Sequence, residues 1–304
     1  MNLKLLGAFV LLWSSLLFAQ KGTVTQFSLT WNGVIRSYSV YVPPVIPTNP
    51  SLVMCLHSTI ISAKSAPPTT LCQQWGWEWV ADFNGFIVVA PISTWKPNGN
   101  SGSGWWFWQS YNTDSYFSVP PDDSGFLRAV LQTVIPGHNV NASRVFVTGS
   151  SSGGMMAHRV GIDSSDLVAA IAPISAIAWV NTPGLPNAKN PVSVLEYHGD
   201  ADTVIHWCGG TFGQWGESVI PTPSVDADVN YWLAQDGMPP NRTPLCTNGV
   251  PTPGLFSLDF RSDDGVEVEF IRQIAEPHGY STPETTAAWA FFAAHGRNGD
   301  RNGD

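Results

Sequence analysis

Arg144-Val145-Phe146-Val147-Thr148-Gly149-Ser150-Ser151-Ser152-Gly153-Gly154-Met155-Met156-Ala157-His158-Arg159-Val160 is the stretch that decides how this chain is read. Residues 144–148 are a short, β-branched, apolar run, as in a buried parallel strand. From Gly153 onward the residues read as a helix. Between the two, Gly149-Ser150-Ser151-Ser152-Gly153 fits G-x-S-x-G. A serine on a sharp strand-to-helix turn exposes its hydroxyl, and the N–H groups of the new helix face whatever it attacks. Glycines flank such a turn because a Cβ there would meet the crossing backbone. A Ser/Gly-rich turn without chemistry has the same composition. The strand ahead and the helix behind are what favour a nucleophile.

Chain order supplies candidate partners. Around this turn the nucleophile comes first, an acid second and a histidine last. Val192 to Tyr197 reads as another buried strand and runs into His198-Gly199-Asp200-Ala201-Asp202-Thr203-Val204. An acid just past a strand end lies on the same rim of the sheet as the nucleophile, and Asp200 and Asp202 both qualify. Val266 to Ile271 alternates like a strand, followed by Glu276-Pro277-His278-Gly279-Tyr280 and a closing helix from Pro283 to His295. His278 therefore stands where the general base is expected. His57 and His198 sit at strand ends, where hydrogen bonds would fix local turns. His158 lies in the helix behind Ser151, His138 and His206 in loops, and His295 near the chain end. With no His-Glu-x-x-His and no paired Cys-x-x-Cys pattern, the sequence calls for no metal, and the chemistry needs no cofactor.

Several of these motifs carry a family resemblance. Val145 to Ala157 resembles the nucleophile segment of secreted polyhydroxybutyrate depolymerases and the related feruloyl and acetylxylan esterases. Asp122-Asp123-Ser124-Gly125-Phe126-Leu127 resembles the Asp-Asp-x-Gly-Phe-Ile stretch that precedes it in that family. His198 to Val204 is similar to the family's His-Gly-x-x-Asp-x-Val, whose last Asp is the triad acid. The resemblance thus selects Asp202 over Asp200, and it runs from residue 34 to 295. It implies a Ser151–Asp202–His278 triad, with an oxyanion hole from the backbone N–H of Ser152 and one from Ser58 or Thr59. The chain departs from the family at two places. His57-Ser58-Thr59 stands where the family has His-Gly, and Pro277-His278-Gly279-Tyr280-Ser281 where it has Gly-His-x-Trp-Pro.

The rest of the chain supports an exported enzyme. Residues 1–19 hold Lys4 and then an apolar run too short to span a bilayer, which reads as a cleaved signal peptide of a secreted, extracellular protein. No later run could span a membrane, and a formal net charge of −9 leaves no basic footprint for nucleic acid. A monomer acting on an ester substrate, possibly polymeric, is expected. Four cysteines suggest two disulfides with three possible connectivities. Cys208–Cys246 and Cys55–Cys72 are favoured, because each joins neighbours along the chain. Asn141 and Asn241 head glycosylation sequons, the second weakened by Pro244.

Strand-like runs at 22–30 and 34–42, a hairpin across Trp31-Asn32-Gly33, are followed by runs at 52–56, 85–90, 145–148, 169–174, 192–197 and 266–271. Helical stretches fall between them, giving an α/β class with a mostly parallel sheet of about eight strands and helices on both faces. The resemblance makes this the α/β-hydrolase fold, as one catalytic domain over residues 20–296. The tail 297–304 repeats Arg-Asn-Gly-Asp and reads as disordered. The stretch Trp95 to Phe117 is dense in aromatics. Trp105, Trp106 and Trp108 are expected either to wall a substrate cleft or to form a small core of their own. Asp122 and Asp123 are expected to cap the next helix.

The chain is thus read as a secreted serine esterase of the feruloyl or acetyl type, acting on plant cell-wall polysaccharide esters. A polyester depolymerase and, from another class, an inactive hydrolase-fold binding protein are the alternatives.

Overall fold

The computed structural model describes residues 21–97, 103–110, 121–179, 186–212 and 220–297. The leader 1–19, Tyr111, Tyr116, Phe117 and the tail from 298 lie outside the described residues. Arg297, the first tail residue, donates its N–H to the Ser143 carbonyl at 2.7 Å.

The chain opens with strands β1 (Thr23–Trp31), β2 (Val34–Val42), β3 (Leu52–Leu56) and β4 (Ile60–Ser62), then helices α1 (Leu71–Gln74) and α2 (Trp77–Asn84). Strands β5 (Ile87–Pro91), β6 (Thr94–Pro97) and β7 (Gly104–Phe107) lead to helix α3 (Asp123–Gly137). Strand β8 (Val145–Ser150), helix α4 (Ser152–Asp163), and strands β9 (Ala170–Ile174) and β10 (Ser193–Gly199) form the centre. Two small ribbons, β11 (Gly210–Phe212) with β12 (Ile220–Thr222) and β13 (Cys246–Thr247) with β14 (Val250–Pro251), flank helix α5 (Val225–Gln235). Strands β15 (Ser257–Arg261) and β16 (Glu267–Gln273) and helix α6 (Thr282–Ala294) complete the order.

Among the described residues the main sheet has nine strands, in the order β1-β2-β5-β3-β8-β9-β10-β16-β15. The six from β5 to β16 run parallel, and the pairs β1·β2, β2·β5 and β15·β16 are antiparallel. The expected hairpin is present. Trp31 faces Val34 across Asn32 (φ 49°) and Gly33 (φ 79°), the two left-handed residues that a tight hairpin turn needs. The strand beyond the expected eight is β15. Its Ser-Leu-Asp-Phe-Arg sequence is half polar, because it lies at an edge with one face in solvent.

Strand alternation builds two cores. Leu52, Met54 and Leu56 pack with Leu127 and Leu131 of α3, Met156 and Val160 of α4, and Trp232 of α5. Val53 and Cys55 face the other way, toward Trp77 and Val80 of α2 and Phe292 of α6. Helices thus cover both faces, as the hydrophobic period demands. The consequence for function is directional. Strands β3, β8, β10 and β16 are parallel, so their carboxyl ends deliver four loops to one rim of the sheet.

Candidate active site

Ser151 joins β8 to α4 with φ 55° and ψ −122°, a region that a residue with a Cβ rarely enters. The turn closes this tightly because glycines stand where backbones cross. A Cβ on Gly153 would run into the carbonyls of Leu56 and His57 at the end of β3, and one on Gly149 into that of Gly153. Ser152 then opens the helix, so its N–H is among those with no partner inside α4.

Ser151 and His278 line one cavity of about 310 Å³, together with Ser58, Thr59 and Ser152. His278, in the loop after β16, has its Nδ1 2.7 Å from Asp202 Oδ2. The other Asp202 oxygen accepts the N–H groups of Val204 (2.7 Å) and Ile205 (2.8 Å), which fixes the carboxylate in the loop after β10. Burial would raise this carboxyl, but hydrogen bonds from His198 and His278 outweigh it, so Asp202 lies well below the usual carboxylate range. Asp200 is engaged elsewhere. It pairs with Arg272 at 2.7 Å and accepts the Ala275 N–H at 2.6 Å.

The loop after β3 is held by uncharged groups. His57 Nε2 accepts the Ser93 N–H at 3.1 Å, so the ring proton sits on Nδ1 and donates to the Ser58 carbonyl at 2.7 Å. Burial of this ring lowers its pKa to about 4. The Cys55–Cys72 disulfide (Cα–Cα 6.0 Å) clamps the end of β3 to α1, and Cys208–Cys246 (5.6 Å) ties the loop after β10 to β13. Both pairings are those expected from the sequence.

The aromatic wall differs from the expectation. Trp108 is fully buried, and its indole N–H donates to the His57 carbonyl at 2.9 Å. It supports the loop from below and does not line the cavity. Trp105 and Trp106 lie on β7, which pairs with β4 and β6 in a small separate sheet. Trp106 is buried and borders a different cavity, beside Ile35 and Trp95. Alternation along β7 turns the next residue, Phe107, toward Ser151 instead. Beside Phe107, Trp75 and Tyr280 line the Ser151 cavity, stacked at 4.4 Å between ring centroids. Tyr280 is anchored by the Trp77 indole N–H (3.0 Å) and Thr285 (2.7 Å). Composition did not point to Trp75. The disulfide pairing could have, since Cys72 three residues earlier is tied to the rim. Asp122 caps α3 by accepting the Gly125 N–H at 2.9 Å. Asp123, expected to share that role, is instead buried in an ion pair with Arg36 at 2.7 Å. Asn241 is exposed, and Asn141 is half-buried, its side chain accepting the Ser143 N–H at 2.9 Å.

One buried cluster resembles a metal site: His158, Glu196 and Asp228. The donor set does not fit a cation. The Trp232 indole N–H donates to His158 Nδ1 at 3.0 Å, so the ring proton occupies Nε2, the nitrogen that faces the two carboxylates.

No family model matches the chain. By sequence it is related to acetylxylan and feruloyl esterases. A bifunctional acetylxylan esterase/xylanase of Neocallimastix patriciarum is 24% identical over 263 residues, covering 86% of this chain and 33% of that protein. Acetylxylan esterase A of Talaromyces purpureogenus is 27% identical, covering 75% of this chain and 66% of that protein. Feruloyl esterase B of Thermothelomyces thermophilus is 28% identical over 180 residues, covering 59% and 57%. The chain thus spans a third of the first relative and just under two thirds of the second. Among solved structures, the acetyl xylan esterase from Aspergillus awamori has a TM-score of 0.58 at 16% identity, covering 88% of this chain and all of that one. A thermostable esterase gives 0.57, covering 90% and 63% at 16% identity. The fold is the α/β-hydrolase fold.

Proposed function

We propose that the protein is a serine carboxylic-ester hydrolase that works through an acyl-enzyme. One observation carries the reading: Ser151, on its strained elbow, shares a cavity with His278, which is bonded to Asp202. Ser151 attacks the ester carbonyl while His278 Nε2 takes its proton. The oxyanion is met by the N–H of Ser152 and by one from the Ser58–Thr59 loop. His278 then protonates the leaving alcohol and activates the water that releases the acid. Asp202 holds the ring with its proton on Nδ1 and balances the imidazolium charge. No step calls for a cofactor.

The relatives support acetyl or feruloyl esters of plant cell-wall polysaccharide as substrates. The Trp75–Tyr280 stack and Phe107 suit that class, since aromatic faces pack on sugar and phenolic rings. Among the described residues no helix is long and apolar enough to cross a membrane, and the two disulfides fit an oxidising compartment, so secretion is part of the proposal. Acetate and ferulate release from acetylated and feruloylated xylan tests the reading, with Ser151→Ala as the control. Release of neither above that control would overturn the substrate assignment, as would hydrolysis of polyhydroxybutyrate alone. A fluorophosphonate should label Ser151, and an unlabelled serine would mark a binding protein.

A further inference from the structure

His198, at the end of β10, lies directly behind Asp202 and has no role in the steps above. It is fully buried. All four groups facing its ring nitrogens are acceptors. On the Nδ1 side are the Ala176 carbonyl and Glu196 Oε1, both at 3.2 Å. On the Nε2 side are the Ile205 carbonyl at 2.8 Å and Asp202 Oδ2 at 3.4 Å. A neutral ring would turn one bare lone pair toward two oxygens. The hydrogen-bond pattern therefore calls for a proton on both nitrogens.

The surrounding elements agree on where the charges lie. Trp207 presents its ring at 84° and 5.7 Å, without charge. From α4, His158 accepts the Trp232 indole N–H at Nδ1 and turns Nε2 toward Glu196 and Asp228. From α5, burial and the neighbouring charge of Glu196 push Asp228 up to about 7. The carboxylates that meet the His198 ring are Glu196 on its own strand and Asp202 on the following loop. Burial alone would drive the ring neutral, but its bonds to Asp202 and Glu196 raise it to about 10.

We propose that His198 is a permanently charged, buried imidazolium that acts as a positioning residue by sharing the Asp202 carboxylate with His278. Asp202 Oδ2 lies 2.7 Å from His278 Nδ1 and 3.4 Å from His198 Nε2. The fixed cation neutralises part of the charge that Asp202 presents, so less negative charge faces the His278 ring. This inference rests on the Ser151–Asp202–His278 reading.

Nitrogen-15 NMR of the histidine rings in the wild-type protein tests the charge directly. Both His198 nitrogens should remain protonated from about pH 5 to about pH 8. A single neutral tautomer in that range would overturn the proposal. The functional half is read from the acid limb of kcat/KM. His198→Gln removes the cation and should move the limb up by about one pH unit. Glu196→Gln removes the anion on the far side of His198 and should move it down. A limb that stays put, or moves the same way in both, would leave His198 a structural residue and overturn the proposal. Glu196→Gln and the NMR measurement decide the matter if His198→Gln does not fold. Failure of the triad reading itself would show separately, as ester hydrolysis surviving Ser151→Ala.

Discussion

Two loops on the catalytic rim end their strands in a buried histidine, and they use it in opposite ways. After β3, His57 accepts an N–H from Ser93 and is neutral. After β10, His198 meets only oxygens and is charged. The residue type and the depth are the same, and the protonation is reversed by what the neighbouring backbone offers. The difference follows the work proposed for each loop. The first must receive a developing negative charge, and it is shaped by neutral bonds that leave its N–H groups to the substrate. The second must hold a permanent carboxylate in a dry place, which is tolerable only with cationic and N–H partners.

The sharpest test removes the nucleophile and leaves both loops intact. Ser151→Ala should lower ester hydrolysis by about 10⁴-fold or more, and the residual rate would report what the β3 side achieves alone. Next comes the charged side. Asp202→Asn should cost about 10³- to 10⁴-fold in kcat. Asp200→Asn should cost far less, because Asp200 bonds Arg272 and not His278. The reverse ranking in steady-state kinetics would dissolve the contrast between the loops. On the neutral side, replacing Cys55 and Cys72 with alanine should destabilise the protein by about 3 kcal/mol in urea unfolding.

The pH dependence of stability separates the two histidines. The folded-state pKa of His57 is lowered to about 4. Its contribution is complete above the unfolded value of about 6.5 and is lost as pH falls toward the folded one, by about 2 kcal/mol between pH 6.5 and pH 5. The wild-type advantage over His57→Gln should therefore shrink over that interval. An advantage that grows on acidification would mean that His57 is charged. The smallest effect concerns its support. Trp108→Phe leaves the His57 carbonyl without its indole partner and should cost about 1 kcal/mol, with a modest drop in kcat.

What could be read from the sequence divides along the same physical lines. The strands of the parallel sheet were legible because burial on both faces makes them continuously apolar, and β15 was missed because an edge strand is not. Ser151 and His278 were legible from chain order, with the choice of Asp202 over Asp200 coming from a motif. The reason for that choice became visible only in space, through the Arg272 pair. For the tryptophans at 105, 106 and 108 composition left a cleft wall and a small core open, because it carries no direction, and Trp106 and Trp108 are buried. Register along β7 turns Trp106 away from the cavity that Phe107 lines. His198 was read as a turn-fixing histidine, which it is, since it bonds Ile205 across its loop. Three of the acceptors that set its charge, Glu196, Asp202 and Ile205, lie close by in the sequence, and Ala176 completes the set from the segment after β9.

The Cys55–Cys72 bridge also bears on when the site is complete. The elbow at Ser151 is built from glycines and backbone crossings and involves no thiol. The Ser58–Thr59 loop and Trp75, by contrast, flank the two bridged cysteines. A newly made chain in a reducing compartment would have the Ser151 elbow in place while this clamp stayed open. Under the proposed function, oxidation of this thiol pair would then complete the Ser58–Thr59 side of the site.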